Sequence, residues 1–136
     1  MNEETVKKWI FLADGDLKTA RDELNMPDSF TNTVCFHSQQ CIEKYLKAFL
    51  TLKGQPFGKT HDIAELIELG KEFDKDFDQL YQLKANKLTR YAVEVRYPDD
   101  FYIPSLEEAK ASFDIANNVK IFILEKLIKL GLEPLT

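Results

Sequence analysis

Residues 36–50 read Phe36-His37-Ser38-Gln39-Gln40-Cys41-Ile42-Glu43-Lys44-Tyr45-Leu46-Lys47-Ala48-Phe49-Leu50. Apolar side chains fill two adjacent helical stripes, Cys35, Ile42, Leu46 and Phe49 on one and Val34, Cys41, Tyr45 and Leu52 on the other. A surface helix needs only one apolar stripe, so a face this wide belongs to a helix at the centre of a bundle. The remaining face gathers His37, Gln40, Glu43, Lys44 and Lys47 at three- and four-residue steps. Glu43 and Lys47 form an i,i+4 pair in the favourable order, worth roughly a few tenths of a kcal/mol on an exposed helix. Two readings stand for this face: a solvated charged strip, the commoner fate of such a pattern, and a binding surface.

The segments on either side repeat the helical spacing. Before it, Val6, Ile10, Ala13, Leu17, Ala20 and Leu24 step by fours and threes, with Trp9 alongside, up to Pro27. The central helix is expected to run from Asp28 as N-cap to Gly54 as C-cap. A short helix follows Thr60, with the Thr60 hydroxyl as cap and Asp62 at the positive helix start. A fourth opens around Asp74–Asp76, carries Phe77, Leu80, Leu88, Tyr91 and Val95 inward, and stops at Pro98. The last opens with Ser105-Leu106-Glu107-Glu108, an S-x-x-E capping box, and carries Ala109, Phe113, Ala116, Val119, Ile123, Leu127 and Leu130 to Gly131. Nothing alternates as a strand does, and no linker or repeat divides the chain. The pattern predicts an all-α, up-and-down bundle of four long or medium helices plus one short helix, a single domain over residues 1–136.

Composition agrees with that picture. The 136 residues are 44% hydrophobic and 30% charged, an ordinary globular balance. With 18 Lys and Arg against 23 Asp and Glu, the net charge is −5, which disfavours bulk coating of duplex DNA. Cys35 and Cys41 fit neither a CxxC pair nor zinc-ligand spacing. On one helix they lie about 240° apart, too far round to bridge. A reducing, cytoplasmic location follows as the expectation. No run of roughly 18 apolar residues suits a membrane span.

Chemistry-bearing residues concentrate in three places. One is the polar face of residues 37–47. The second is the loop Lys53-Gly54-Gln55-Pro56-Phe57-Gly58-Lys59-Thr60-His61-Asp62, where Lys53, Lys59 and the amides of the next helix could hold a phosphate and His61 could donate to it or move a proton. Its bland alternative is a capped helix with His61 packed on a neighbour. The third is Arg96-Tyr97-Pro98-Asp99-Asp100-Phe101-Tyr102. There Arg96 either complements a helix C-terminus or grips a phosphate beside aromatic rings that stack a base. Phosphate-loop, dinucleotide, zinc-protease and nucleophile-elbow motifs are missing, and two histidines on different elements do not make a three-His metal site. No metal or cofactor is expected.

Taken in order, Ala13-Asp14-x-Asp16-Leu17-x-x-Ala20, Phe36-x-x-x-Gln40-x-x-Glu43-Lys44-x-x-Lys47-Ala48, Thr60-His61-Asp62-Ile63 and Arg96-Tyr97-Pro98-Asp99 resemble the HEPN family, the higher eukaryotes and prokaryotes nucleotide-binding domain. The likeness spans almost the whole chain. It implies a bundle of four to five helices that commonly dimerises, binds nucleotide or RNA, and often acts with a separately encoded minimal nucleotidyltransferase, as in a toxin–antitoxin pair. Many members are metal-independent ribonucleases using an Arg, four to six intervening residues and a His. Here the positions at that distance after Arg21, Arg90 and Arg96 hold no His, so the ribonuclease motif is absent. The leading expectation is therefore a non-catalytic binding module. In it Lys44, Lys47, Lys59, His61 and Arg96 meet phosphate, Tyr97 stacks, and Gln40 or Glu43 contacts base or ribose. The alternatives are a divergent ribonuclease or nucleotide hydrolase with His61 as base and Arg96 as phosphate clamp, and an interaction scaffold whose polar face docks another chain.

Overall fold

The structure is a computed structural model describing residues 2–92 and 102–133, and these residues are all-helical, with no strand among them. Three long helices, α1 (Glu3–Leu24), α2 (Thr31–Leu52) and α5 (Leu106–Lys129), carry the bundle. Between α2 and α5 come the short α3 (Ile63–Lys71), a 3-10 turn at Lys75–Asp78, the single-turn α4 (Gln79–Gln82) and a 3-10 stretch at Ala85–Tyr91.

Helix α2 is central, as its two apolar stripes require. Six consecutive residues, Tyr45 to Leu50, are buried, so every face of that turn is covered. Helix α1 lies antiparallel to it: the Asn2 amide at the start of α1 donates to the Thr51 carbonyl at the end of α2 (2.9 Å). Helix α5 runs parallel to α2, since Thr31 donates to the Pro104 carbonyl (2.7 Å) and Asn32 to that of Tyr102 (2.7 Å). Residues 75–91 form the returning leg. Its lower end is fixed to α5 by Lys126, which binds Asp74 (2.8 Å) and Asp76 (2.5 Å), and its upper end by the Tyr91 hydroxyl on Glu108.

Helix ends differ from the sequence reading in instructive ways. Helix α2 starts at Thr31 rather than near Asp28, because the Phe30 amide is taken by the Glu23 carboxylate (2.9 Å) and Phe30 is the N-cap. Its other end closes as expected, with Gly54 at φ 69° and bonds from the Gly54 amide to Thr51 and from Gln55 to Leu50. The same motif ends α5: Gly131 (φ 98°) bonds Ile128 and Leu132 bonds Leu127. That turn buries Leu132 and leaves Leu130 exposed, the reverse of the expected stripe. Ser105 caps α5, accepting from the Glu108 amide (3.0 Å). For α3 the cap is Asp62, accepting from Ala64 (3.0 Å), while the Thr60 hydroxyl accepts from the Asp62 amide (3.1 Å).

The fourth leg is not one long helix. A stripe through 77, 80, 84, 88 and 91 would drive Lys84 into the core. Instead Lys84 adopts a left-handed conformation (φ 66°), and the chain resumes as a 3-10 stretch. Ala85 and Leu88 are then buried and Tyr91 half-buried at the three-residue spacing such a helix requires. Val95 lies outside the described residues.

Phe77 anchors this leg. Fully buried, it lies 4.6 Å from the Phe49 ring and 5.4 Å from that of Phe122, and its edge fills the space beside Gly70. A Cβ at Gly70 would come within 2.2 Å of Phe77 Cε2. Gly70→Ala gains about 1 kcal/mol of helix propensity but overpacks a ring with no room to yield, at about 1–3 kcal/mol. Urea unfolding should therefore show no gain and a net loss of up to about 2 kcal/mol, against the usual gain for Gly→Ala within a helix.

Candidate functional site

The polar face of α2 is not a solvated strip. Glu43 is 3% exposed and Lys47 7%; Lys47 is met by Trp9 of α1 and Phe57 of the 53–62 loop, and Glu43 by His61 of that loop. The loop doubles back along α2 from Leu52 to the level of Glu43, nine residues or about 13 Å. It lays Phe57 against Trp9 edge to face (centroids 6.1 Å apart). Lys47 Nζ lies between these rings, 5.8 Å from the Trp9 centroid and 5.5 Å from that of Phe57.

Glu43 is the centre of the network. Its carboxylate accepts from Lys47 (2.6 Å), from the buried Gln39 amide (2.9 Å) and from His61 Nδ1–H (3.0 and 3.2 Å to its two oxygens). Gln40 joins through Gln39 (2.7 Å). Burial alone would raise the Glu43 pKa. Hydrogen bonds from Lys47 and Gln39, the Lys47 charge and the His61 contact outweigh it and hold the group below the usual carboxylate range. The His61 side chain remains 60% exposed. A buried carboxylate thus fixes one ring nitrogen and leaves Nε2 for an external partner, an arrangement suited to phosphate recognition or proton transfer.

Four of the expected site residues, Gln40, Glu43, Lys47 and His61, come together here. Lys59 is exposed in the same loop, two residues before His61. Lys44 belongs to a neighbouring cluster: it binds Asp16 (2.6 Å), whose other oxygen accepts from His37 (2.8 Å). Asp16 and Asp14 flank the Ala13–Leu17 seam of α1, and Asp14 takes the Tyr45 hydroxyl and Lys120 (3.1 Å) on the other side. Arg96 and Tyr97 lie outside the described residues.

The phosphate cradle expected at the start of α3 is not available. The Asp62, Ile63 and Ala64 amides are taken by Thr60, by the Thr89 hydroxyl (3.1 Å) and by Asp62. Lys53 turns instead to the Phe73 ring, 5.8 Å from its centroid. A further feature escaped the sequence reading. The exposed Arg90 guanidinium stacks on Tyr91 (5.4 Å) and Tyr102 (5.1 Å), while both tyrosine hydroxyls donate to Glu108. The one sequence signal for it was the aromatic density from Tyr91 to Tyr102.

Fold and site together define a small helical domain in which a buried acid on the central helix orients a surface histidine. The sequence matches the HEPN domain family over residues 6–127, and the chain belongs to that family. Its fold is similar to the crystal structure of ST0689, an archaeal HEPN homologue, at TM-score 0.66 and 25% identity, covering 89% of this chain and 96% of that one. No curated protein shows a significant match. HEPN domains are in general nucleotide-binding or ribonuclease-like modules and are often dimeric. Among the described residues no helix is long and apolar enough to cross a membrane.

The burial of the Glu43–Lys47 pair has a measurable consequence. Glu43→Gln leaves Lys47 charged and unpaired in the core, so it should cost about 3 kcal/mol. Glu43→Gln combined with Lys47→Met removes both charges while keeping an acceptor for Gln39, and should recover at least half of that loss. Because the Glu43 pKa is lower folded than unfolded, its stabilisation is complete above about pH 4.5 and is lost as pH falls through the folded value. Chemical unfolding from pH 6 to 3 should show a shallower acid loss in the double variant than in wild type.

Proposed function

We propose that this chain is a nucleotide- or RNA-binding HEPN module, cytoplasmic and homodimeric, that acts without catalysis of its own alongside a separately encoded minimal nucleotidyltransferase, in the manner of a toxin–antitoxin pair. The observation that carries the reading is the orientation of His61: its Nδ1 is held by buried Glu43 while the ring stays open to solvent. In this reading His61 Nε2 and Lys59 meet phosphate and Gln40 meets base or ribose. Arg96 and Tyr97 supply the clamp and the stacking ring. Glu43 and Lys47 act from behind, as the buried pair that sets the His61 ring. Lys44, paired with Asp16, borders this surface in the neighbouring cluster.

A second reading, a divergent metal-independent ribonuclease with His61 as base and Arg96 as clamp, draws on the same observation, since a carboxylate-oriented imidazole is also a proton-transfer device. The missing Arg-x4–6-His motif weighs against it.

Isothermal titration with ATP, GTP and short RNAs tests both. Binding at millimolar ligand or tighter is expected, and its complete absence would sink the proposal. Arg96→Ala and His61→Ala should each fold normally and weaken binding at least tenfold, about 1.4 kcal/mol. Arg96→Lys should recover only part, because an ammonium lacks the planar fork. Unchanged affinity in a folded Arg96→Ala protein would leave Arg96 a structural residue. Cleavage of labelled RNA in EDTA, abolished by His61→Ala, would instead establish the ribonuclease reading.

A further inference from the structure

The outward face of α1 carries Phe11 (75% exposed) and Leu12 (49% exposed) beside Gly15, where an added Cβ would meet nothing within 4 Å. These residues, with Lys7, Lys18 and Thr19, line a shallow depression of about 710 Å³ on a helix otherwise studded with charge. A large exposed aromatic next to a glycine notch is a knob beside a hole, and each can fill the other only in a second molecule.

The charge pattern says which molecule and in what direction. Gly15 lies midway between Lys8 and Asp22, seven residues from each. Seven residues are almost two full turns, so Lys8, Gly15 and Asp22 share one face, about 10.5 Å apart along the axis. A second α1 laid antiparallel, with the two-fold axis through Gly15, sets Lys8 opposite Asp22, a contact made twice. It also seats Phe11 against Gly15 and Thr19 of the second copy. A parallel arrangement sets lysine on lysine. At a crossing angle of about 20° the axes diverge by only about 4 Å at the height of these charges, within the reach of a lysine. Asp22 already accepts from Lys18 through Oδ2 (2.7 Å), and its Oδ1, 3.5 Å from Arg21, has capacity for a further donor.

We infer that the homodimer forms through an isologous, antiparallel α1–α1 contact centred on Gly15, with Phe11 as the buried anchor and Lys8–Asp22 as the pair that sets direction. The inference rests on the homodimer of the preceding section and adds its face. Sedimentation equilibrium of the full chain at tens of micromolar, with circular dichroism to confirm folding, is the test. Wild type should be a dimer. Phe11→Asp, an exposed change that leaves the fold intact, should raise the dimer dissociation constant at least tenfold. Lys8→Glu and Asp22→Lys should each weaken association, and the combined Lys8→Glu/Asp22→Lys protein should regain it, since the pairing is restored across the axis. A monomeric wild type would overturn the homodimer itself. A wild-type dimer indifferent to Phe11→Asp, or one that the combined variant fails to restore, would overturn this face and leave the homodimer standing.

Discussion

A carboxylate taken out of water must be met by charge and by hydrogen bonds, and that requirement at Glu43 organises much of this molecule. Lys47 supplies the charge, Gln39 a neutral donor, and His61 a donor from outside the helix. Meeting it fixes the course of the 53–62 loop, because His61 has to return to the level of Glu43 and Phe57 then closes over Lys47 together with Trp9. Placement of α3 follows from where that loop ends. A buried ion pair of this kind is a poor source of net stability compared with apolar packing. What it provides here is a defined position for an imidazole at the surface.

The same helix therefore holds the bundle together and presents its chemistry. Apolar stripes on α2 meet α1 and α5, while its polar face meets two acids, Asp16 from α1 and its own Glu43, each with a histidine and a lysine attached. That symmetry of parts is not a symmetry of exposure. His37 is 28% exposed and His61 60%, so only the second ring stands clear of the helix packing.

Much of this was legible in the amino-acid order. Helix α2 announced its central position through two apolar stripes, and Gly54, Gly131 and Ser105 marked their helix ends because caps follow local rules. The break at Lys84 was harder to see, since five of the positions around it keep helical spacing. Its signal was the one charged residue where that spacing required an apolar one. The burial of Glu43 and Lys47 was not legible at all. Nothing in an i,i+4 pair tells whether a distant loop will return to cover it, and that loop's course depends on contacts with Lys47, Glu43 and Trp9, the last far away in sequence. Likewise one of the amides expected to be free at the start of α3, that of Ile63, was claimed by Thr89, 26 residues on. Short-range patterns specify helices well, whereas which polar faces are covered is decided by long-range contacts.

The paired tyrosines on Glu108 carry one more implication. Tyr91 and Tyr102 both place a hydroxyl on the same carboxylate, so the ends of the intervening segment, which holds Arg96 and Tyr97, are tied to one point at the start of α5. Holding both hydroxyls on one carboxylate offsets part of the entropic cost of bringing Tyr91 and Tyr102 together. One carboxylate at the start of α5 thereby fixes both where the chain leaves the returning leg and where it enters the last helix.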